Sequence, residues 1–166
     1  MRLSLRLLTV CALALALTVG TAAWSASALA AGSTSSSPKA SEDRTAKRFA
    51  KAKKEIRKGD YEDAIELLEK VVRKQPNNAD AYNLLGFSHR KLKKFDTAYK
   101  YYTRALKIDP NHKGALEYLG ELYVDTGDLK SAEAVLARLA AVCPSGCEEK
   151  DDLTERIVAY KKRSGG

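Results

Sequence analysis

"YNLLGFSHRKLKKFDTAYKYYTRALKIDP", Tyr82 to Pro110, carries two apolar stripes at helical spacing, split by a short basic joint and closed by a proline. The first stripe reads Tyr82-x-x-Leu85-Gly86-x-x-His89 and the second Ala98-x-x-x-Tyr102. Each segment therefore offers one face for burial, as two helices of a hairpin would. The same pattern returns downstream as Leu116-x-x-Leu119-Gly120-x-x-Tyr123, Ala132-x-x-x-Leu136 and Pro144.

The interval is 34 residues, and other positions keep it. Pro76, Pro110 and Pro144 are in step, as are Ala64, Ala98 and Ala132, then Ala52, Gly86 and Gly120, then Tyr61, Phe95 and Leu129. A period of this length with two helical patterns per unit marks a helical solenoid, in which each hairpin buries its apolar face against the next. Glycine and alanine at the repeated small positions let paired helices approach closely. The prolines stop the second helix of each unit. Asp60 and Asp128, each following a glycine, are placed to cap the second helix of their units.

On these residues the chain resembles three tetratricopeptide repeats, at 45–78, 79–112 and 113–146. The first departs from the pattern in its leading helix, where Arg48, Lys51 and Glu55 occupy positions that are usually apolar or aromatic. A frayed or water-exposed first helix is expected there, with Phe49, Ala52 and Ile56 as its only apolar stripe. Residues 147–166 read as a capping helix and tail: Leu153, Ile157 and Tyr160 form one apolar face, with acids at its start and bases at its end, as the helix dipole favours. The expected fold is all-α, a helical-hairpin solenoid of three repeats plus a C-terminal cap.

The resemblance implies recognition of a peptide or protein segment on the concave surface made by the first helix of each repeat. Carried over by position, the groove residues are Phe49, Lys53 and Arg57, then Asn83, Phe87, Arg90 and Lys91, then Glu117, Glu121 and Val124. Such a groove is basic at its N-terminal end and acidic at the other. Some members of the family hold a C-terminal carboxylate in a clamp of bases and asparagines. Here Phe49, Leu84, Gly114 and Tyr118 stand at the clamp positions and only Lys53 is polar, so that specificity is not expected.

Little in the chain points to catalysis. The two histidines, His89 and His112, form no metal-binding pair, and there is no nucleophile elbow, phosphate-cradling glycine loop or calcium-loop spacing. His89 reads as a packed helix residue and His112 as a solvated turn residue. The stretch "KLKKFDTAYKYYTRALK" interleaves bases with aromatics, but Phe95, Ala98, Tyr102 and Ala105 fall on packing positions, so nucleic acid is not an expected partner. The first helix has seven bases and one acid between Ala46 and Gly59. It is either a solvated face or an electrostatic surface for an acidic partner or an anionic membrane.

The ends of the chain carry its address. Met1 to Arg6 holds two arginines, Leu7 to Leu17 is apolar, and Ala28-Leu29-Ala30 offers a small-residue cleavage site. Residues 1–30 are read as a secretory signal peptide cleaved near Ala30, and an uncleaved segment is the one route to the membrane besides weak basic-surface contact. Its loss removes Arg2 and Arg6, leaving 27 basic residues against 21 acidic ones, a charge of about +6. Residues 31–44 are small and polar and read as a flexible linker. Export implies an oxidising compartment, periplasmic or extracellular.

In that compartment Cys143 and Cys147, in "AVCPSGCEE", are read first as a disulfide across a Pro-x-Gly bend. A thiol-redox pair and a two-thiolate metal site stay open beside it; four-ligand zinc lacks partners nearby. The functional reading is a non-enzymatic scaffold of the bacterial envelope without cofactor or metal, binding a protein or peptide partner. A thiol-redox or metal-handling accessory using Cys143 and Cys147 is the alternative, and self-association through the first helix or the cap's outer face stays open.

Overall fold

The structure, a computed structural model, describes residues 38–165. The chain there is an all-α solenoid of seven helices: α1 (Pro38–Lys58), α2 (Tyr61–Lys74), α3 (Ala79–Lys91), α4 (Phe95–Ile108), α5 (Lys113–Thr126), α6 (Leu129–Val142) and α7 (Glu148–Ser164). Consecutive helices pair as three hairpins, the first helices α3 and α5 touch each other, and α7 closes the stack against α5 and α6. The apolar run at 7–17, Cys11 and the cleavage point near Ala30 lie outside the described residues. Among the described residues no helix is long and apolar enough to cross a membrane.

Each second helix ends two residues before its proline, at Lys74, Ile108 and Val142. Arg104 then donates to the Pro76 carbonyl at 3.2 Å, and Arg138 donates in the same way to the Pro110 carbonyl. The 34-residue period thus extends to a repeated polar tie between neighbouring units. The hairpin joints share a left-handed residue at one register position: Gly59 at φ +88°, Gly127 at φ +81°, and between them Lys93 at φ +57°. Glycine enters that region without the Cβ clash that a lysine meets.

The core divides into two clusters. One gathers Ala52, Leu68, Val71, Ala81 and Leu85, and the other runs from Ala98 and Tyr102 through α5 and α6 to Leu153 and Ile157 of α7. Gly86 admits the fully buried Tyr102 of its own hairpin: a Cβ there would lie 2.5 Å from the ring. Gly120 faces elsewhere. A Cβ at that position would overlap Leu153, so its missing side chain makes room for α7 rather than for α6.

Four local expectations are corrected. α1 is regular rather than frayed: Ala52 is fully buried, Phe49 and Ile56 pack on the first cluster, and Glu55 is buried with its Oε2 accepting from Lys58 at 2.6 Å. A short-range ion pair replaces the expected apolar contact. α1 also begins at Pro38, so residues 38–44, expected as linker, are helical. Pro38 suits a first helical position, and the buried Thr45, donating to the Ser41 carbonyl at 2.9 Å, anchors the added turns. Asp60 makes no side-chain capping bond, whereas Asp128 accepts from the Ser131 amide at 3.0 Å. His112 is a cap rather than a solvated residue. Its Nδ1 accepts from the Ala115 amide at 3.1 Å, leaving Nε2 to donate to Asp80 of the preceding repeat at 3.0 Å. His89 stacks on Tyr101 within the second repeat, with ring centroids 5.2 Å apart.

Candidate functional site on the concave face

Three residue columns, each stepping by one repeat, run along the first helices: Phe49, Asn83 and Glu117; Lys53, Phe87 and Glu121; Arg57, Lys91 and Asp125. At the N-terminal end Phe49, Lys53 and Asn83 line a cleft of about 200 Å³ with Asp80 and Leu84. The Lys53 ammonium lies 5.1 Å from the Phe49 ring centroid. Asn83 is only 6% exposed, and its Oδ1 has no hydrogen-bond partner among the described residues. Its amide nitrogen sits over Gly114, where a Cβ would approach to 3.1 Å. The glycine standing at a clamp-base position therefore seats Asn83.

The middle of the face is aromatic. Phe87 is half-buried between Tyr61 and Tyr118, at centroid distances of 6.2 and 5.0 Å, and Lys91 lies over its ring at 5.2 Å. Lys91 itself is exposed, so a cation and an apolar ring edge are offered together. Burial, aided by the charges of Glu117 and Glu121, pushes the Tyr118 hydroxyl up to about 12, so it stays protonated at neutral pH.

At the C-terminal end the charges are interlocked. Arg90, 6% exposed, donates to Asp125 at 2.8 Å and to Glu121, and Arg156 of α7 donates to the other oxygen of Asp125 at 2.6 Å. Arg90 is thus a buried tie between repeats and not a free groove cation. Glu117 is 7% exposed and makes no hydrogen bond or ion pair among the described residues. Burial, with Glu121, Asp152 and Glu149 nearby, pushes its carboxyl up to about 8.

The face therefore unites Phe49, Lys53 and Asn83 at one end, Phe87 and Lys91 at the centre, and Glu117 and Glu121 at the other end, with Arg90 buried behind it. Two more expected members stand apart besides Arg90. Arg57 is exposed and joins none of these clusters. Val124 is 3% exposed within the second core cluster, so it does not line the groove. The reason lies in its column: Ile56 is half-buried and Arg90 nearly buried, so this register position turns into the seam between repeats.

Sequence reasoning missed Asp125 as the shared acceptor, although it stands one period beyond Lys91 and two beyond Arg57. It also missed that α7 enlarges the site, with Asp152, Glu155, Arg156 and Ala159 forming one wall of a cleft of about 290 Å³ opposite Glu121. Their i, i+3, i+4, i+7 spacing is the signal that places them on one helix face.

Residues 57–139 match the family model described as anaphase-promoting complex, cyclosome, subunit 3. An uncharacterized protein ycf37 of Porphyra purpurea is 31% identical over 98 residues, 57% of this chain and 57% of that protein. The ycf37 protein of Pyropia yezoensis is 39% identical over 57 residues, 34% of this chain and 32% of the relative. The chain spans little more than half the length of these relatives at most. Among solved structures, the first TPR of Spaghetti (RPAP3) bound to the HSP90 peptide SRMEEVD is similar with a TM-score of 0.63 at 20% identity, over 70% of this chain and 95% of that one. The Sgt2 TPR domain from Aspergillus fumigatus gives 0.66 at 17% identity, over 74% and 80%. The Yersinia enterocolitica type III secretion translocator chaperone SycD gives 0.64 at 20% identity, over 75% and 88%. At these identities the likeness is one of fold.

Proposed function

We propose, for a chain that belongs to the tetratricopeptide-repeat family through the model described as anaphase-promoting complex, cyclosome, subunit 3, that its concave face binds a segment of another protein. The role is that of a scaffold and not of an enzyme. The observation that carries this is the half-buried Phe87 ring with Lys91 above it, an aromatic and cationic surface presented by a rigid helix. Repeat domains of the same fold hold HSP90 and HSP70 peptides, which supports a peptide or protein ligand for this face. The ligand's terminal carboxylate is not the handle, because Phe49, Leu84, Gly114 and Tyr118 replace the clamp residues.

The proposal extends to location and to the cysteines. The leader pattern at residues 1–30 supports export to the periplasm or beyond, where the partner would be an envelope protein. Cys143 and Cys147, at the end of α6 and the start of α7 with Cα atoms 6.0 Å apart, would then form a staple across that joint. The test is capture of crosslinked partners on full-length protein and on a Phe87→Ala, Lys91→Glu double variant. Loss of capture with unchanged helicity and melting is expected, and undiminished capture by the variant counts against the groove.

A further inference from the structure

α1 carries a second pattern beside its apolar stripe. Arg44, Lys47, Lys51, Lys54 and Lys58 follow one another at alternating steps of three and four residues, which places them on one side of the helix. All five are exposed. Thr45, Phe49, Ala52 and Ile56 make the side that meets the rest of the fold, roughly opposite the bases. α1 packs on α2 and α3, so among the described residues nothing covers the basic side.

α2 runs back along α1 and continues this surface. Arg48 joins Lys70, Arg73 and Lys74 around a cleft of about 460 Å³ whose lining contains no carboxylate. A neighbouring cleft of about 210 Å³ brings Lys51 to Lys70, with Asp63 and Glu66 as its acids. The other acids nearby are engaged one to one. Asp43 lies 2.7 Å from Lys47, Glu66 and Glu69 lie 3.7 and 3.9 Å from Lys70 and Arg73, and the buried Glu55 holds Lys58. Arg44, Arg48, Lys51, Lys54 and Lys74 have no ion pair among the described residues. The dipole of α2 accounts for Arg73 and Lys74 in its last turn. It does not account for Arg48, nor for a stripe that starts in the first half of α1.

The chemistry of the face selects its partner. A specific protein interface is centred on aromatic or aliphatic anchors and is poor in lysine, and a single-stranded nucleic acid needs rings on which its bases stack. The large apolar residues exposed among the described residues are Tyr99 on α4 and Val158 on α7, both off this face. What the face offers is a spread of exposed cations, which matches a surface of many separate phosphates. Only residues 18–37 lie between the apolar run at 7–17 and Pro38, so a run engaged in a bilayer would tether α1 near that surface.

We propose that the basic face of α1 and α2 docks on a bilayer containing anionic phospholipids, its lysines and arginines pairing with headgroup phosphates. This goes beyond the groove reading and does not depend on it. The stripe lies away from Phe87 and Lys91, so a docked chain leaves the concave face open to its segment.

The test is flotation of the full-length chain with vesicles of phosphatidylcholine alone or mixed with phosphatidylglycerol. Every variant carries the same residues 1–37, so differences between variants report the helical region. Wild type should bind the mixed vesicles at least about tenfold more tightly than the neutral ones, and the excess should shrink as salt is raised. Lys51→Gln with Lys54→Gln and Lys74→Gln should lose at least about tenfold in affinity for mixed vesicles with circular dichroism unchanged. Lys100→Gln with Lys107→Gln and Lys130→Gln removes the same charge from exposed positions on α4 and α6 and should change binding much less, and Phe87→Ala should bind as wild type does. Acetylation footprinting on the mixed vesicles should protect Lys51, Lys54 and Lys74 and leave Lys100, Lys107 and Lys130 reactive. Equal losses in the two triple variants, or equal reactivity of the two lysine sets, would overturn the proposal. Retention of the chain on immobilised polyglutamate, lost in the Lys51, Lys54 and Lys74 variant, without preference for phosphatidylglycerol would overturn it in favour of an acidic protein.

Discussion

Replacing Glu117 by glutamine should stabilise this protein at alkaline pH and leave it unchanged at acid pH. The carboxyl titrates near 8 in the fold because burial disfavours its charged form and because Glu121, Asp152 and Glu149 repel it, with only Arg90 acting in the other direction. In the unfolded chain it titrates near 4.5. Between those values the folded state holds one proton that the unfolded state has released, so stability falls as pH rises through that window and levels off above it. At about 1.4 kcal/mol per pKa step, the full separation corresponds to at most about 5 kcal/mol. Water reaching the carboxyl reduces this, and a gain of roughly 2–3 kcal/mol for Glu117→Gln at pH 8.5 is expected.

The assay is urea unfolding of both full-length proteins at intervals from pH 4 to 9. Taking the difference removes every group that the two chains share. The difference curve should be near zero at pH 4 and rise towards pH 8. A flat curve, or a Glu117 carboxyl carbon signal titrating near 4.5, would refute the reasoning. Asp152→Asn provides a directional control, because removing a repelling neighbour should move the Glu117 midpoint downward.

Lys93→Gly should raise stability by about 0.5–1 kcal/mol, by relieving a left-handed lysine where Gly59 and Gly127 hold the same register, as a melting or urea midpoint would show. Leu153→Ala should cost about 2–4 kcal/mol, since Leu153 is fully buried and fills the space left by Gly120, and hydrogen exchange should report early opening of α7. Serine at Cys143 and Cys147 should cost about 2 kcal/mol under oxidising conditions and nothing under reducing ones, with partner binding retained; equal stability of wild type in both conditions would sink the staple.

How much of this is legible in the sequence follows from the range of the interactions involved. A solenoid packs each hairpin on its sequence neighbour, so its period, its helix stops at Pro76, Pro110 and Pro144, and the column of Phe49, Asn83 and Glu117 can be read by counting. Side-chain direction within a column is harder. Arg90 and Val124 share a register position that a wheel places beside the groove, yet both are buried in the seam. Glu55 illustrates the same limit, because an acid at an apolar position signals exposure unless a base three residues on can follow it into the interface.

The acidic end shows where local reading stops. Arg90 meets Glu121 and Asp125 at separations of 31 and 35 residues, three short of one period and one beyond it, which is the offset between neighbouring first helices. Once that offset is known, the same steps from Glu121 lead into α7 at Asp152 and Arg156, and the cap stands where the first helix of a further unit would. A helix in that position covers the core with Leu153 and Ile157 and extends the concave face with its acids. Its register against α5 is set by a Leu153 side chain entering the gap at Gly120. Closing the core and extending the concave face are therefore one packing event, and a substitution that loosens α7 should disturb both.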